Sequence, residues 1–223
     1  MNARLLRPVA VVTAAFVAGA LLNPFGSDAA ARETPAAAMP LEAFDEVAPI
    51  EEGEASPTES DRTEQGAVEA AAAFICNGQA LVDMSADEVD TYLRERVTRA
   101  SADRVVEEHL HDLDALREAL ATGVGPTTYR QGVLAWRVDA FDGDEARVVI
   151  WHVGVLSREG IAPPQAGWMI STVDLRWERG SWKVAGEIAV PGPAPILNDS
   201  VPPATAEDLL DQLDGFKDFG GAW

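Results

Sequence analysis

Residues 172–184 read Thr-Val-Asp-Leu-Arg-Trp-Glu-Arg-Gly-Ser-Trp-Lys-Val. Val173, Leu175 and Trp177 alternate with Asp174, Arg176 and Glu178, the two-residue period of a strand with one apolar face. Arg179-Gly180 interrupts the alternation, and Trp182 and Val184 resume it. Two such runs around a two-residue turn containing glycine predict a tight antiparallel hairpin, with Val173, Leu175 and Trp177 facing Trp182, Val184 and their neighbours. The two strands extend over residues 167–178 and 181–190. Pro191, Pro193 and Pro195 end the sheet, because a residue without an N–H cannot continue a ladder.

Upstream of the hairpin, residues 146–157 are apolar on both parities: Val149, Trp151, Val153 and Val155 on one, Val148, Ile150, His152 and Leu156 on the other. A strand of this kind belongs in the middle of a sheet with helices over one face. Residues 129–141 form a further strand, in which Leu134, Trp136 and Val138 alternate with Val133, Ala135 and Arg137, and Asp142-Gly143-Asp144 turns it into the central one. A loop over residues 158–165, holding Pro163-Pro164, leads on to the hairpin.

Before residue 126 the period changes from two to that of a helix. Val68, Ala71, Ala72 and Ile75 mark a first helix over residues 64–82, and Ser85 with Glu88 forms a capping box for a second carrying Val89, Tyr92, Leu93 and Val97. Ser101 offers an N-cap to a third, with Val105, Val106, Leu110, Leu113, Leu116 and Leu120 on one side, ending at the Gly-Val-Gly-Pro of residues 123–126. Three helices followed by about four long strands is an α+β order, in which the helices pack on one face of a twisted antiparallel sheet. This domain occupies residues 64–195.

The flanks read differently. Arg4 and Arg7 precede an apolar run over residues 9–22, broken only by Thr13, which is the layout of an export leader. Residues 1–26 are therefore either a signal peptide, cleaved after the small residues Ala29-Ala30-Ala31, or a signal anchor; no cysteine stands there to accept a lipid. In both cases the arginines stay inside and the remainder is translocated, giving a single-pass membrane protein with an extracytoplasmic domain or, alternatively, a secreted one. Residues 27–63 are rich in Ala, Pro and Glu and poor in aromatics, a composition that predicts a disordered acidic linker extended by its own charge. Residues 196–223 form a C-terminal extension in which Thr205 and Asp208 cap a short helix with Leu209, Leu210 and Leu213, followed by Phe216, Phe219 and Trp223. This extension either folds back on the domain or docks on a partner.

The formal net charge of −20 discourages contact with nucleic acid, whose phosphates it would repel. Cys76, the single cysteine, sits in an Ala-rich apolar helix and reads as a small hydrophobe. His109 and His111, two apart on a helix, point to different faces and do not make a metal pair, and the acidic residues around them, including Asp112, read as a solvated surface. No glycine-rich phosphate loop occurs, so neither a cofactor nor a metal is expected.

The helix at residues 68–81, the strand pair through Trp151 and the hairpin at residues 172–184 resemble the cone-shaped NTF2-like superfamily, over residues 64–195. With its leader and acidic linker the chain is also similar to uncharacterised actinobacterial exported proteins and, in layout, to the bitopic scaffold subunits of conjugation and type IV secretion machines. The layout implies a noncatalytic, membrane-anchored scaffold with protein partners or self-association through the sheet face or tail. The fold implies the alternative, a secreted protein that binds or isomerises a small ligand between sheet and helices. In that case the ligand-binding candidates are His152, whose parity points it into an apolar face, and Asp174, which as a buried carboxylate would act as a base. Asp174 shares its strand face with Thr172 and Arg176, which favours solvent or an arginine as its partner. Asp139 is a third in-strand carboxylate. The superfamily supplies no motif that maps onto this chain, and no catalytic residue is assigned.

Overall fold

The computed structural model describes residues 62–195 and 204–219. The leader, the acidic linker up to residue 61, and Trp223 lie outside the described residues. Four long strands, β1 (Thr128–Phe141), β2 (Glu145–Arg158), β3 (Ala162–Glu178) and β4 (Ser181–Pro191), make an antiparallel sheet with a two-residue strand β5 (Lys217–Asp218), in the order β4-β3-β2-β1-β5. The sheet thus has five strands where the alternation predicts about four. The fifth comes from the C-terminal extension, which folds back so that Ala135 pairs with Asp218 and Trp136 with Lys217. The strand β2 is central, as its two apolar faces require.

The hairpin holds the expected register, with Leu175 opposite Val184 and Trp177 opposite Trp182. Arg179 (φ 55°) and Gly180 (φ 81°) both adopt left-handed backbone, the two-residue turn whose twist suits antiparallel strands. The expected loop over residues 158–165 is shorter. Pairing resumes at Arg158 with Ala162, across an irregularity in the ladder after Leu156, and such an irregularity tolerates the missing N–H of a proline.

Four helices precede the sheet: α1 (Glu64–Ile75), α2 (Gly78–Asp83), α3 (Ala86–Arg96) and α4 (Ala102–Ala119). The single helix expected over residues 64–82 is two, and Gly78 is the reason. Its N–H donates to Gln131 Oε1 at 2.9 Å on β1, and a Cβ there would stand 2.3 Å from that oxygen and from Tyr129 Cε1. The helix therefore breaks at Cys76-Asn77 so that glycine can lie against the strand. Thr63 Oγ1 accepts from the Gly66 N–H and caps α1, and the capping box at Ser85 and Glu88 is formed. Ser101 precedes α4 but does not cap it; its buried hydroxyl lies 2.7 Å from Thr98 Oγ1 and 3.2 Å from the Val184 carbonyl, tying the helix entry to β4. A short helix α5 (Ala206–Gln212), boxed by Thr205 and Asp208, leads to β5.

The core lies between α1, α3, α4 and one face of the sheet. Val68, Leu93, Val148, Ile150 and Val173 are wholly buried, and burial of each such side chain stabilises the fold by about 1.5–3 kcal/mol. The alanines Ala67, Ala71 and Ala72 let α1 approach the strands closely. Among the described residues no helix is long and apolar enough to cross a membrane.

Candidate functional site

Two β-bulges decide which side chains reach the covered face of the sheet. In β1 the register shifts between Val133 and Ala135, so Val133, Trp136 and Val138 lie opposite His152, Ile150 and Val148 on that face, and strict alternation through Leu134 does not hold. In β4 Gly186 pairs with Asp174 but Val184 with Leu175, leaving Ala185 as an extra residue. Trp182 and Val184 face the helices before this bulge, and Glu187 and Ala189 face them after it.

Past these bulges the core opens into a cavity of about 80 Å³, walled by α1, α2 and α4 on one side and by the four long strands on the other. Gly154 and Gly167 pair across β2 and β3 and both line it, so two facing strand positions project no side chain into the space. Phe74, Leu81, Leu113, Leu116, Met169 and Ala189 make most of the wall apolar.

Among the polar residues that line the cavity, His152 and Glu187 are joined through Ser171, which lies behind the wall. His152 Nε2 lies 3.0 Å from Ser171 Oγ, and Ser171 Oγ donates to Glu187 Oε1 at 2.9 Å. Ser171 is wholly buried and His152 is 6% exposed. Burial pushes the His152 imidazole down to about 4, so the ring is neutral at physiological pH. Burial likewise holds the Glu187 carboxyl above the ordinary carboxylate range, the Ser171 hydrogen bond acting in the opposite sense. Tyr129 is pushed up to about 12, first by burial and then by the charge of Glu187. His152 Nδ1 and Asn77 Nδ2 are buried and meet no hydrogen-bond partner among the described residues.

The candidates named from sequence separate cleanly. His152 enters the cavity wall. Asp174 does not: it lies on the opposite face, half exposed, accepting from Arg147 Nε at 2.7 Å and Nη2 at 3.1 Å, so it is an ion-paired surface carboxylate and not a base in the cavity. Asp139 is likewise paired, with Arg137 Nε at 2.6 Å. Asp112, read as part of a solvated helix surface, instead lines the cavity, and so does His109; His109 Nδ1 lies 2.9 Å from the Val105 carbonyl and its ring packs edge-on against Phe74. Burial lowers the His109 imidazole and raises the Cys76 thiol. Among the described residues no group of histidines, cysteines and carboxylates could hold a metal ion.

The described residues form an α+β domain in which an internal cavity between sheet and helices combines an apolar wall with a buried His-Ser-Glu chain. The chain belongs to the family described as "Domain of unknown function (DUF8175)", whose pattern matches residues 61–211. No curated protein matches the chain. Among solved structures, the intermembrane space region of the chloroplast protein ARC6 is similar over 59% of this chain and 96% of that one, at 14% identity and a TM-score of 0.36.

Proposed function

We propose that this is an NTF2-like domain that binds a small molecule in the cavity between its sheet and helices, and that it works outside the cytoplasm, anchored by or released from its leader. The observation that carries the reading is the unsatisfied polarity of the cavity wall. Buried polar groups normally find hydrogen-bond partners, and His152 Nδ1 and Asn77 Nδ2 find none among the described residues. The order of helices and sheet and the closing hairpin support the NTF2-like assignment, and the basic, apolar leader supports export. Binding of small organic probes to the mature chain recovered from cells, followed by NMR, tests the reading. Shifts confined to cavity residues and suppressed by Ala189→Leu, which fills the space, are expected. Probes that bind no more tightly to the parent than to this variant overturn it.

A second reading, a noncatalytic anchored scaffold of a conjugation-like transfer system, is favoured by the open edge of the sheet. Ile188 and Val190 are 46% and 48% exposed on β4, the edge strand among the described residues, where a partner strand or subunit would find apolar side chains. Membrane fractionation and co-purification test it. A mature protein that is soluble and recovers no partner ends this reading.

A further inference from the structure

The hydrogen-bond chain in the cavity wall has only two consistent directions. Ser171 has one hydroxyl proton and stands between His152 Nε2 and Glu187 Oε1. When Glu187 is a carboxylate it can only accept. Ser171 then donates to it, Nε2–H of His152 donates to Ser171, and Nδ1 is left as a bare lone pair. When Glu187 carries a proton, its O–H can donate to Ser171, Ser171 turns its own proton toward Nε2, and the ring takes the tautomer with its proton on Nδ1. Each state holds one proton on the ring and one on the hydroxyl, and the two differ by the single proton on Glu187, exchanged with solvent.

The remaining wall limits what a ligand can be. Among the described lining residues there is no lysine or arginine, so an anion finds no counter-charge. A cation would meet the carboxyl groups of Glu187 and Asp112 but would have to shed its water into a mostly apolar space. At about 10–15 Å³ for each water-sized sphere, the cavity suits roughly five to eight heavy atoms.

Resting on the cavity reading above, we propose that the occupant is a compact, uncharged molecule that completes the hydrogen bonding of His152 Nδ1, and that a proton on Glu187 reverses the direction of that bond through Ser171. The site would accept donors when Glu187 is ionised and acceptors when it is neutral. The other titratable groups facing Glu187 across the cavity are His152 from β2, Tyr129 from β1, and His109 and Asp112 from α4. Arg104 of α4 reaches the Ala185 carbonyl beside it at 3.4 Å. None of them stands between Ser171 and either of its two partners.

Four probes of similar size separate the possibilities: phenol, a neutral donor; cyclohexanone, a neutral acceptor; toluene, with neither; and benzylammonium, a cation. Their affinities for the mature chain are measured between pH 5 and pH 8. Phenol should bind about tenfold more tightly than toluene at pH 8, as expected for one satisfied buried hydrogen bond. The phenol-to-cyclohexanone ratio should fall severalfold toward pH 5, and Glu187→Gln should abolish that change while still binding both. A ratio that does not move with pH, or moves equally in Glu187→Gln, overturns the relay. Toluene equal to phenol, or benzylammonium tightest, overturns the neutral polar ligand while the cavity reading stands. Failure of all four to bind removes the cavity reading itself.

Discussion

Ser171 Oγ donates a 2.9 Å hydrogen bond to Glu187 Oε1, a contact between neighbouring strands that holds a carboxyl against a largely apolar cavity. Because burial raises the Glu187 carboxyl in the folded state, the fold binds its proton more tightly than the unfolded chain does. Its contribution is favourable below the ordinary carboxylate value and is lost as pH rises through the raised one. Glu187→Gln should therefore be more stable than the parent at pH 8, with the difference shrinking toward pH 4 in urea titrations. A difference that grows toward acid would contradict this.

His152 works in the opposite sense. Its imidazole is held down at about 4 from an ordinary 6.5, so between those values the unfolded chain takes a proton that the fold refuses. Stability is lost as pH falls through this window, by on the order of 3 kcal/mol from this residue alone. In His152→Gln that part of the acid limb should disappear. Parallel pH profiles for parent and variant would show that the ring is not buried neutral.

The tight approach of α2 to β1 makes Gly78 intolerant. Alanine there places a methyl 2.3 Å from Gln131 Oε1 and Tyr129 Cε1, whereas at Gly154 the nearest atom is 3.4 Å away. Gly78→Ala should cost about 1–3 kcal/mol, and Gly154→Ala clearly less, by chemical denaturation. Equal costs would mean that α2 does not rest on the strand.

At the hairpin tip Arg179 occupies left-handed backbone, which asparagine tolerates better than arginine. Arg179→Asn should raise stability by about 0.5–1 kcal/mol, read as a higher melting temperature. Gly180→Val, forced into the same region, should lower it by more.

Asp174 tests the boundary of the site. Its bidentate pair with Arg147 is half exposed, and such pairs contribute about 1 kcal/mol or less. Asp174→Ala should change stability by no more than that and leave probe affinity untouched. A loss of binding would place the site on the wrong face of the sheet.

The hairpin, the central strand and most helix boundaries were legible because each rests on a local rule: alternation around Arg179-Gly180, two apolar parities in β2, a capping box at Ser85 and Glu88. The cavity was only partly legible. His152 could be aimed inward because β2 keeps its phase from Val148 to Leu156, and Asp174 could be placed with Arg176 and Thr172 for the same reason. Glu187 could not, since alternation from Trp182 and Val184 points it outward and only the extra residue at Ala185 turns it in. The Ala185-Gly186 pair inside a strand was the available signal, as glycine there often marks a bulge. The split of the first helix at Gly78 depends on a strand 53 residues away, a contact that no local pattern carries.

The strand β5 has a consequence for where this domain can be cut. The family pattern stops at residue 211, before Lys217 and Asp218 pair with β1 and before the Lys217 ammonium settles 4.7 Å from the Trp136 ring. A protein trimmed to the matched segment would lose the pairing of Ala135 and Trp136 with β5 and the cover that Lys217 gives one face of Trp136. Without β5, the middle of the β1 edge would stand open to solvent or to another strand. The two residues of β5 thus complete a stretch of the sheet that the matched segment alone does not contain.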